Sequence, residues 1–227
     1  MTDSLTVTVA GITLRLLAWR GIYWADQRTL FVADTHLGKE ATFRRHSIPI
    51  PRGSSGDTLS LIADMLSMTG ARRLVILGDM FHARSSLSAD LSDELSKFFD
   101  AQRHVQIRLV LGNHDRGVDK LIDHWPIEIV TPGTRLGPTV LQHEPKVVPE
   151  DASLMLCGHV HPAVKVGSSV DQVRLPCFWL TQNRLVLPAL GKFTGGHTIR
   201  PNSSDRTWVV AENRVMELPS APVAAQR

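Results

Sequence analysis

The chain has 227 residues, with 25 Lys and Arg against 22 Asp and Glu, a formal net charge of +3 at pH 7, and 43% hydrophobic residues. That apolar content supports one substantial core, and the mild basicity permits a phosphate-bearing partner without the polybasic run of a dedicated nucleic-acid tail. No apolar run approaches the roughly 18 residues of a membrane span, no basic flank and apolar h-region open the chain, and the only cysteines, Cys157 and Cys177, form no CxxC pair; a soluble, cytoplasmic protein without a disulfide framework is expected.

Short apolar segments at residues 5–9, 12–18 and 22–24, separated by glycine turns, predict a β-meander that leads into a strand over 29–33 and delivers Asp34. A helical stretch at 39–45 is broken by Ile48-Pro49-Ile50-Pro51-Arg52-Gly53. A second helix is expected from about Asp57, as N-cap, to Met68, with Leu59, Ile62, Ala63 and Leu66 inward. Residues 74–79, Leu-Val-Ile-Leu-Gly-Asp, form an apolar run ending in Gly-Asp, as a strand buried on both faces would. A helix over 88–101 carries Leu91, Leu95, Phe98 and Phe99 inward, and a strand at 105–111 exits into Gly112-Asn113-His114-Asp115.

Beyond Pro126 the pattern turns to strands, at 127–130, 140–142, 154–157, 163–166, 173–181, 184–187 and 207–210. Alternation of β and α followed by mostly β predicts an α/β (α+β) architecture, two sheets face to face with helices outside. A single domain over residues 1–218 and a disordered tail over 219–227 are expected.

Chemistry-bearing residues recur where these apolar runs end: Asp34 and His36, Asp79, Asn113 and His114, His143, and His159 and His161. Loops at the carboxyl ends of parallel strands form the crevice in which open α/β sheets bind ligands. Residues two apart in an extended segment face the same side, which would aim Asp34 with His36, and His159 with His161, into one crevice. Carboxylate, imidazole and amide oxygen together suit Mn²⁺, Fe or Zn²⁺ better than Ca²⁺. A lone Asp or His is more often a cap or a hydrogen-bonded structural group; five such segments together are not explained that way.

Asp34-x-His36, Gly78-Asp79, Gly112-Asn113-His114-Asp115 and Gly158-His159-x-His161, in that order, resemble the motif set of the calcineurin-like metallophosphoesterases. The resemblance spans about residues 5–218 and implies a four-layer αββα sandwich of two mixed β-sheets flanked by helices. It also implies two divalent transition-metal ions, Mn²⁺ first, with Asp34, His36 and His161 holding one, Asn113, His143 and His159 the other, and Asp79 between them. His114 would be the general acid, with Asp115 or another acceptor orienting its ring, and hydrolysis would use a hydroxide shared by the two metals.

A narrower resemblance rests on Ala33-Asp34-x-His36-Leu37-Gly38-Lys39, Phe43-Arg44-Arg45, Ile48-Pro49-Ile50-Pro51, Leu175-Pro176-Cys177-Phe178, and Leu187-Pro188-Ala189-Leu190-Gly191 through Gly196. These segments resemble the ligase-associated DNA damage response endonucleases called PdeM. They imply a Mn²⁺-dependent phosphodiesterase and endonuclease in bacterial DNA repair, beside a DNA ligase and a helicase.

Lys39, Arg44 and Arg116 are candidates to clamp phosphate oxygens, although for Arg44 and the adjacent Arg45 a solvated helix face is the commoner role. His82 stays outside the ligand set, with a capping or ligand-orienting role open to it. Trp19, Tyr23 and Trp24 read first as core and second as a base-stacking platform. Two alternatives keep the fold: a phosphoesterase for a cyclic nucleotide, nucleotide pyrophosphate or phosphomonoester, and a metal-binding scaffold without catalysis.

Overall fold

A computed structural model describes residues 4–45, 47, 53–117, 124–168 and 171–219. Residues 48–52 of the expected break at 48–53, and residues 220–227 of the expected tail at 219–227, lie outside the described residues.

The first sheet starts as the expected meander, β1 (Ser4–Val9), β2 (Ile12–Leu17), β3 (Ile22–Trp24) and β4 (Thr29–Val32), each antiparallel to the next. It continues in parallel through β5 (Arg73–Leu77), β6 (Gln106–Val110) and β7 (Ile127–Val130). Three helices accompany it, α1 (Lys39–Arg45), α2 (Ser54–Thr69) and α3 (Ala89–Ala101).

The continuous apolar runs of β4 and β5 reflect two different burials. Leu30, Val32, Leu74 and Ile76 point outward onto Leu59, Ile62, Met65 and Leu66 of α2 and Leu91, Leu95, Phe98 and Phe99 of α3. Phe31, Val75 and Leu77, on the opposite pleat, point into the interior between the sheets.

The second sheet holds β8 (Arg135–Leu136), β9 (Thr139–Leu141), β10 (Leu154–Cys157), β11 (Pro162–Gly167), β12 (Gln172–Thr181), β13 (Arg184–Val186) and β14 (His197–Thr198), with β15 (Arg206–Ala211) and β16 (Arg214–Leu218). Its order is β14-β11-β12-β13-β10-β9-β8, and β15 joins β12 to β16. Here too β9, β10 and β13 run parallel, as do β11 and β14, while the other pairs are antiparallel, so both sheets are mixed. Leu154, Leu156, Phe178, Leu185 and Trp208 meet Val9, Leu14, Phe31 and Val75 of the first sheet in one core. The result is the two-sheet α+β sandwich of the calcineurin-like metallophosphoesterase fold. Among the described residues the helices lie over the first sheet, and the outer face of the second is covered by loop side chains such as Val148, Ala152 and Val160. No helix among the described residues is long and apolar enough to cross a membrane.

Two local expectations change. Helix α2 begins at Ser54, capped by Gly53 in a left-handed conformation (φ 90°), so Asp57 is a first-turn residue and not the N-cap. Its carboxylate is placed to favour the helix dipole and pairs with Lys192. Met65, not Ala63, completes its buried face. The short strands β8 and β14 escape a periodicity reading because two residues carry no period, and β16 is an edge strand buried chiefly at Val215.

Candidate metal centre

Every ligand candidate leaves the carboxyl end of a parallel strand. Asp34 and His36 follow β4, Asp79 follows β5, Asn113 follows β6, His143 follows β9, and His159 and His161 follow β10. Packing the sheets face to face brings these ends together. Ligand atoms of Asp34, His36 and His161 lie within 4.8 Å of one another, and so do those of Asp79, His143 and His159. Asn113 joins the second group, its Oδ1 lying 2.9 Å from His143 Nε2 and 3.1 Å from His159 Nδ1. Asp79 stands between the groups, its Oδ2 being 3.9 Å from His36 Nε2 and 3.4 Å from His143 Nε2.

The segments are not extended as expected. Asp34, His36, Asp79, His159 and His161 all have positive φ, between 44° and 69°. A left-handed conformation at five non-glycine residues is unfavourable, and a dense set of backbone hydrogen bonds holds it in place. The ladder between β4 and β5 continues past their ends, with the N–H groups of Asp34, His36 and Leu37 donating to the carbonyls of Gly78, Asp79 and Met80 at 3.1, 3.0 and 2.8 Å. The His159 N–H donates to Asp34 Oδ2 at 2.9 Å, tying the two sheets together at the site. Glycine is needed for close approach at two points. A Cβ at Gly78 would land on the imidazole of His143, and one at Gly112 on the carboxylate of Asp79.

The donor set fits a pair of transition-metal ions. Asp34 is fully buried, and its Oδ1 has no hydrogen-bond partner, an arrangement that is costly unless a cation completes it. His143 Nδ1–H donates to the Leu77 carbonyl at 3.0 Å, which leaves Nε2 facing the cluster, as ligating histidines are usually oriented.

Electrostatics set two histidines apart. Burial, reinforced by the charges of His161, His114 and Lys39 against that of Asp79, lowers His36 to about 3 and keeps it neutral and ready to ligate. At His143, burial favours the neutral ring, but the hydrogen bond to Asp79 and the charges of Asp34 and Asp79 outweigh it and raise the group to about 9. Burial alone would raise the Asp79 carboxyl; His143, the His114 N–H and His36 outweigh it and hold the group below the ordinary carboxylate range.

A proton on His143 therefore stands in for a cation at neutral pH. Loading metal at pH 7 is expected to release about one proton from this group, and affinity is expected to rise with pH up to about 9. Calorimetric titration in buffers of different ionisation enthalpy measures that proton, and zero release would contradict the arrangement. Because the folded value lies above the unfolded ~6.5, the stability this group lends the metal-free protein is complete below ~6.5 and is lost as pH rises through about 9.

Around the ligands the structure sorts the remaining candidates. His114 lies beside the pair, its Nε2 3.9 Å from Asp79 Oδ2 and its Nδ1–H donating to the His82 carbonyl at 2.8 Å. Asp115 does not orient that ring. Its buried carboxylate accepts the N–H groups of Phe81 and Gly112, both at 3.0 Å, and so braces the two ligand loops against each other. Burial nevertheless raises its pKa above the ordinary carboxylate range, against those hydrogen bonds.

His82, left outside the ligand set on sequence, forms a third group of converging donors with His36 and His114, and its ring stacks on His114 at 5.6 Å. Lys39 lies close enough for its charge to disfavour protonation of both His36 and His82. Arg116 lines a groove with Asn113 and His143, together with Lys146, which sequence reading missed. Arg44 instead lines a cleft with Glu40, Asp90 and Glu94 that includes no ligand candidate. Tyr23 and Trp24 are core residues, as first read, and Trp19 packs against the helix-side core. Both cysteines are buried, and burial pushes the Cys177 thiol up to about 12.

A family model described as calcineurin-like phosphoesterase matches residues 27–144, just over half of the chain. The chain belongs to that family, whose members are dinuclear, metal-dependent phosphoesterases, and it is a hydrolase of that class. Among solved structures it is similar to the nuclease MPE of Pseudomonas putida, with 32% identity and a TM-score of 0.83, covering 95% of this chain and 100% of that one. It also matches YfcE, a phosphoesterase from E. coli, at 18% identity and a TM-score of 0.43 over 85% of this chain and 99% of that one, a likeness too slight to bear on function. No curated protein sequence matches the chain.

Proposed function

We propose that the protein is a Mn²⁺-dependent phosphodiesterase that cuts DNA internally. The carrying observation is the placement of cationic side chains beside both donor groups of the ligand cluster. Arg116 and Lys146 line a groove with Asn113 and His143 of one donor group, and Arg174 lines a groove with His161 of the other. Phosphates upstream and downstream of the cut belong to a polymer, whereas a monoester or a cyclic nucleotide would engage one side only. The nuclease activity in the name of the P. putida relative supports the same reading. The resemblance to ligase-associated endonucleases extends the proposal to bacterial DNA repair beside a DNA ligase and a helicase.

In this reading Asp34, His36 and His161 would hold one ion and Asn113, His143 and His159 the other, with Asp79 available to both. Two such ions supply a nucleophile from water near neutral pH and neutralise charge developing on the phosphoryl oxygens. Arg116 and Lys146 hold the adjacent phosphate, and His114 donates a proton to the departing oxygen.

The test uses protein stripped by chelator and refilled with Mn²⁺, Zn²⁺ or Ca²⁺, offered closed circular DNA, an aryl phosphodiester and the matching monoester. Linearised circles and a diester preference, both strongest with Mn²⁺, are expected. Intact circles alongside turnover of the monoester would move the substrate to small phosphates, and silence on all with metal bound would favour a scaffold.

A further inference from the structure

The glycine-rich segment 191–196, between the strand that ends at Val186 and the short strand at His197–Thr198, is hydrogen-bonded to the metal cluster at both ends. At its start the N–H groups of Leu190 and Gly191 donate to the carbonyls of Ala33 and Asp34 at 2.9 and 3.1 Å. At its end the His197 N–H donates to the carbonyl of His161 at 2.9 Å. Asp34 and His161 belong to the same group of converging donors, so the loop is fixed beside that half of the centre. Lys192 fastens it from a third direction, through an ion pair with Asp57 of α2 at 2.7 Å.

The side chain held out by this anchored loop is Phe193, which remains 48% exposed and sits at φ +61°, an unfavourable conformation for a residue with a Cβ. It lines a groove of about 380 Å³ together with His161 and Arg174. Arg174 is exposed on β12, where its backbone pairs with β11, and its guanidinium has no ion-pair or hydrogen-bond partner among the described residues. An aromatic face and a free guanidinium beside a phosphoester-cleaving centre are the two components that hold a nucleotide in sequence-tolerant binding, one stacking on the base and the other pairing with a phosphate.

We infer that the loop 191–196 is a nucleobase subsite, in which Phe193 stacks on the base next to the scissile phosphate while Arg174 pairs with the neighbouring phosphate. This rests on the polynucleotide reading above. It assigns stacking to a residue far in sequence from Trp19, Tyr23 and Trp24.

The experiment compares Mn²⁺-loaded wild type, Phe193→Ala, Phe193→Trp and Arg174→Ala on two oligonucleotides, one normal and one lacking bases around the cut, with methyl nitrophenyl phosphate as a small diester. Wild type is expected to show a KM about tenfold higher on the abasic strand. Phe193→Ala is expected to lose that discrimination, Phe193→Trp to restore it, and Arg174→Ala to raise KM on both strands while keeping their ratio. Unchanged discrimination in Phe193→Ala, or none in wild type that cuts both strands, would overturn the subsite and leave the nuclease reading standing. Wild type that hydrolyses methyl nitrophenyl phosphate but neither oligonucleotide would overturn both.

Discussion

Replacing Asp79 by asparagine is expected to lower diester turnover by roughly 10³-fold or more and to strip the protein of at least one metal ion. Asparagine has the same size and keeps an oxygen for the His114 N–H, which Asp79 Oδ1 accepts at 2.8 Å, so the loops can hold their shape. The negative charge between His36 Nε2 at 3.9 Å and His143 Nε2 at 3.4 Å is lost. In the assignment proposed Asp79 would be shared by both cations, so its removal would weaken the whole centre; several kcal/mol of transition-state stabilisation corresponds to the loss given above. The substitution also withdraws the hydrogen bond that raises His143 to about 9, so the proton released on metal loading should shrink in the same variant. Metal content by elemental analysis, read with kcat/KM, checks both effects. Two ions bound with turnover within tenfold of wild type would remove Asp79 from the bridging position.

The candidate centre was legible in sequence to the degree that its chemistry-bearing residues cluster locally. Asp34 and His36, Gly112 to His114, and His159 and His161 announce themselves by spacing, and the apolar run before Asp79 identifies a strand buried on both faces. The conformation behind that spacing was not legible. The expected same-face geometry of an extended segment is replaced by left-handed residues at both ends of each pair, held by a ladder that reaches across two strands. No local pattern encodes a hydrogen bond between positions 36 and 79. The acceptor for His114, left open between Asp115 and another group, was not legible for the same reason: Asp115 is adjacent in sequence, but its carboxylate turns back to Phe81 and Gly112, and a carbonyl 32 residues away takes the imidazole N–H.

Single residues brought in from distant segments were the least legible. Lys146, Arg174 and Phe193 are unremarkable where they stand in the chain and become meaningful only when β9, β12 and the loop after β13 converge on the ligand cluster. Arg44 illustrates the reverse. It belongs to a basic pair close in sequence to the ligand candidate His36, yet it lines a cleft with Glu40 and Glu94 that includes no ligand candidate.

His114→Ala should leave both metal groups intact, because the side chain ligates neither in the assignment proposed, and should reduce turnover of an alkyl phosphodiester by about 10²–10⁴-fold, the usual contribution of a general acid. The imidazole is oriented for that task. With Nδ1–H donated to the His82 carbonyl at 2.8 Å, only Nε2 is free to carry a proton toward substrate. The ring is set edge-on to His36 at 5.0 Å and stacked against His82 at 5.6 Å, which hold it in this orientation. Its side chain is 40% exposed, so a substrate can reach it. An aryl leaving group departs without a proton, so the same variant should lose far less on an aryl diester. The ratio of alkyl to aryl rates, not the absolute rate, is therefore the discriminating measurement. Equal losses on both substrates would make His114 a binding or positioning group, and unchanged turnover of the alkyl diester would exclude it as the acid.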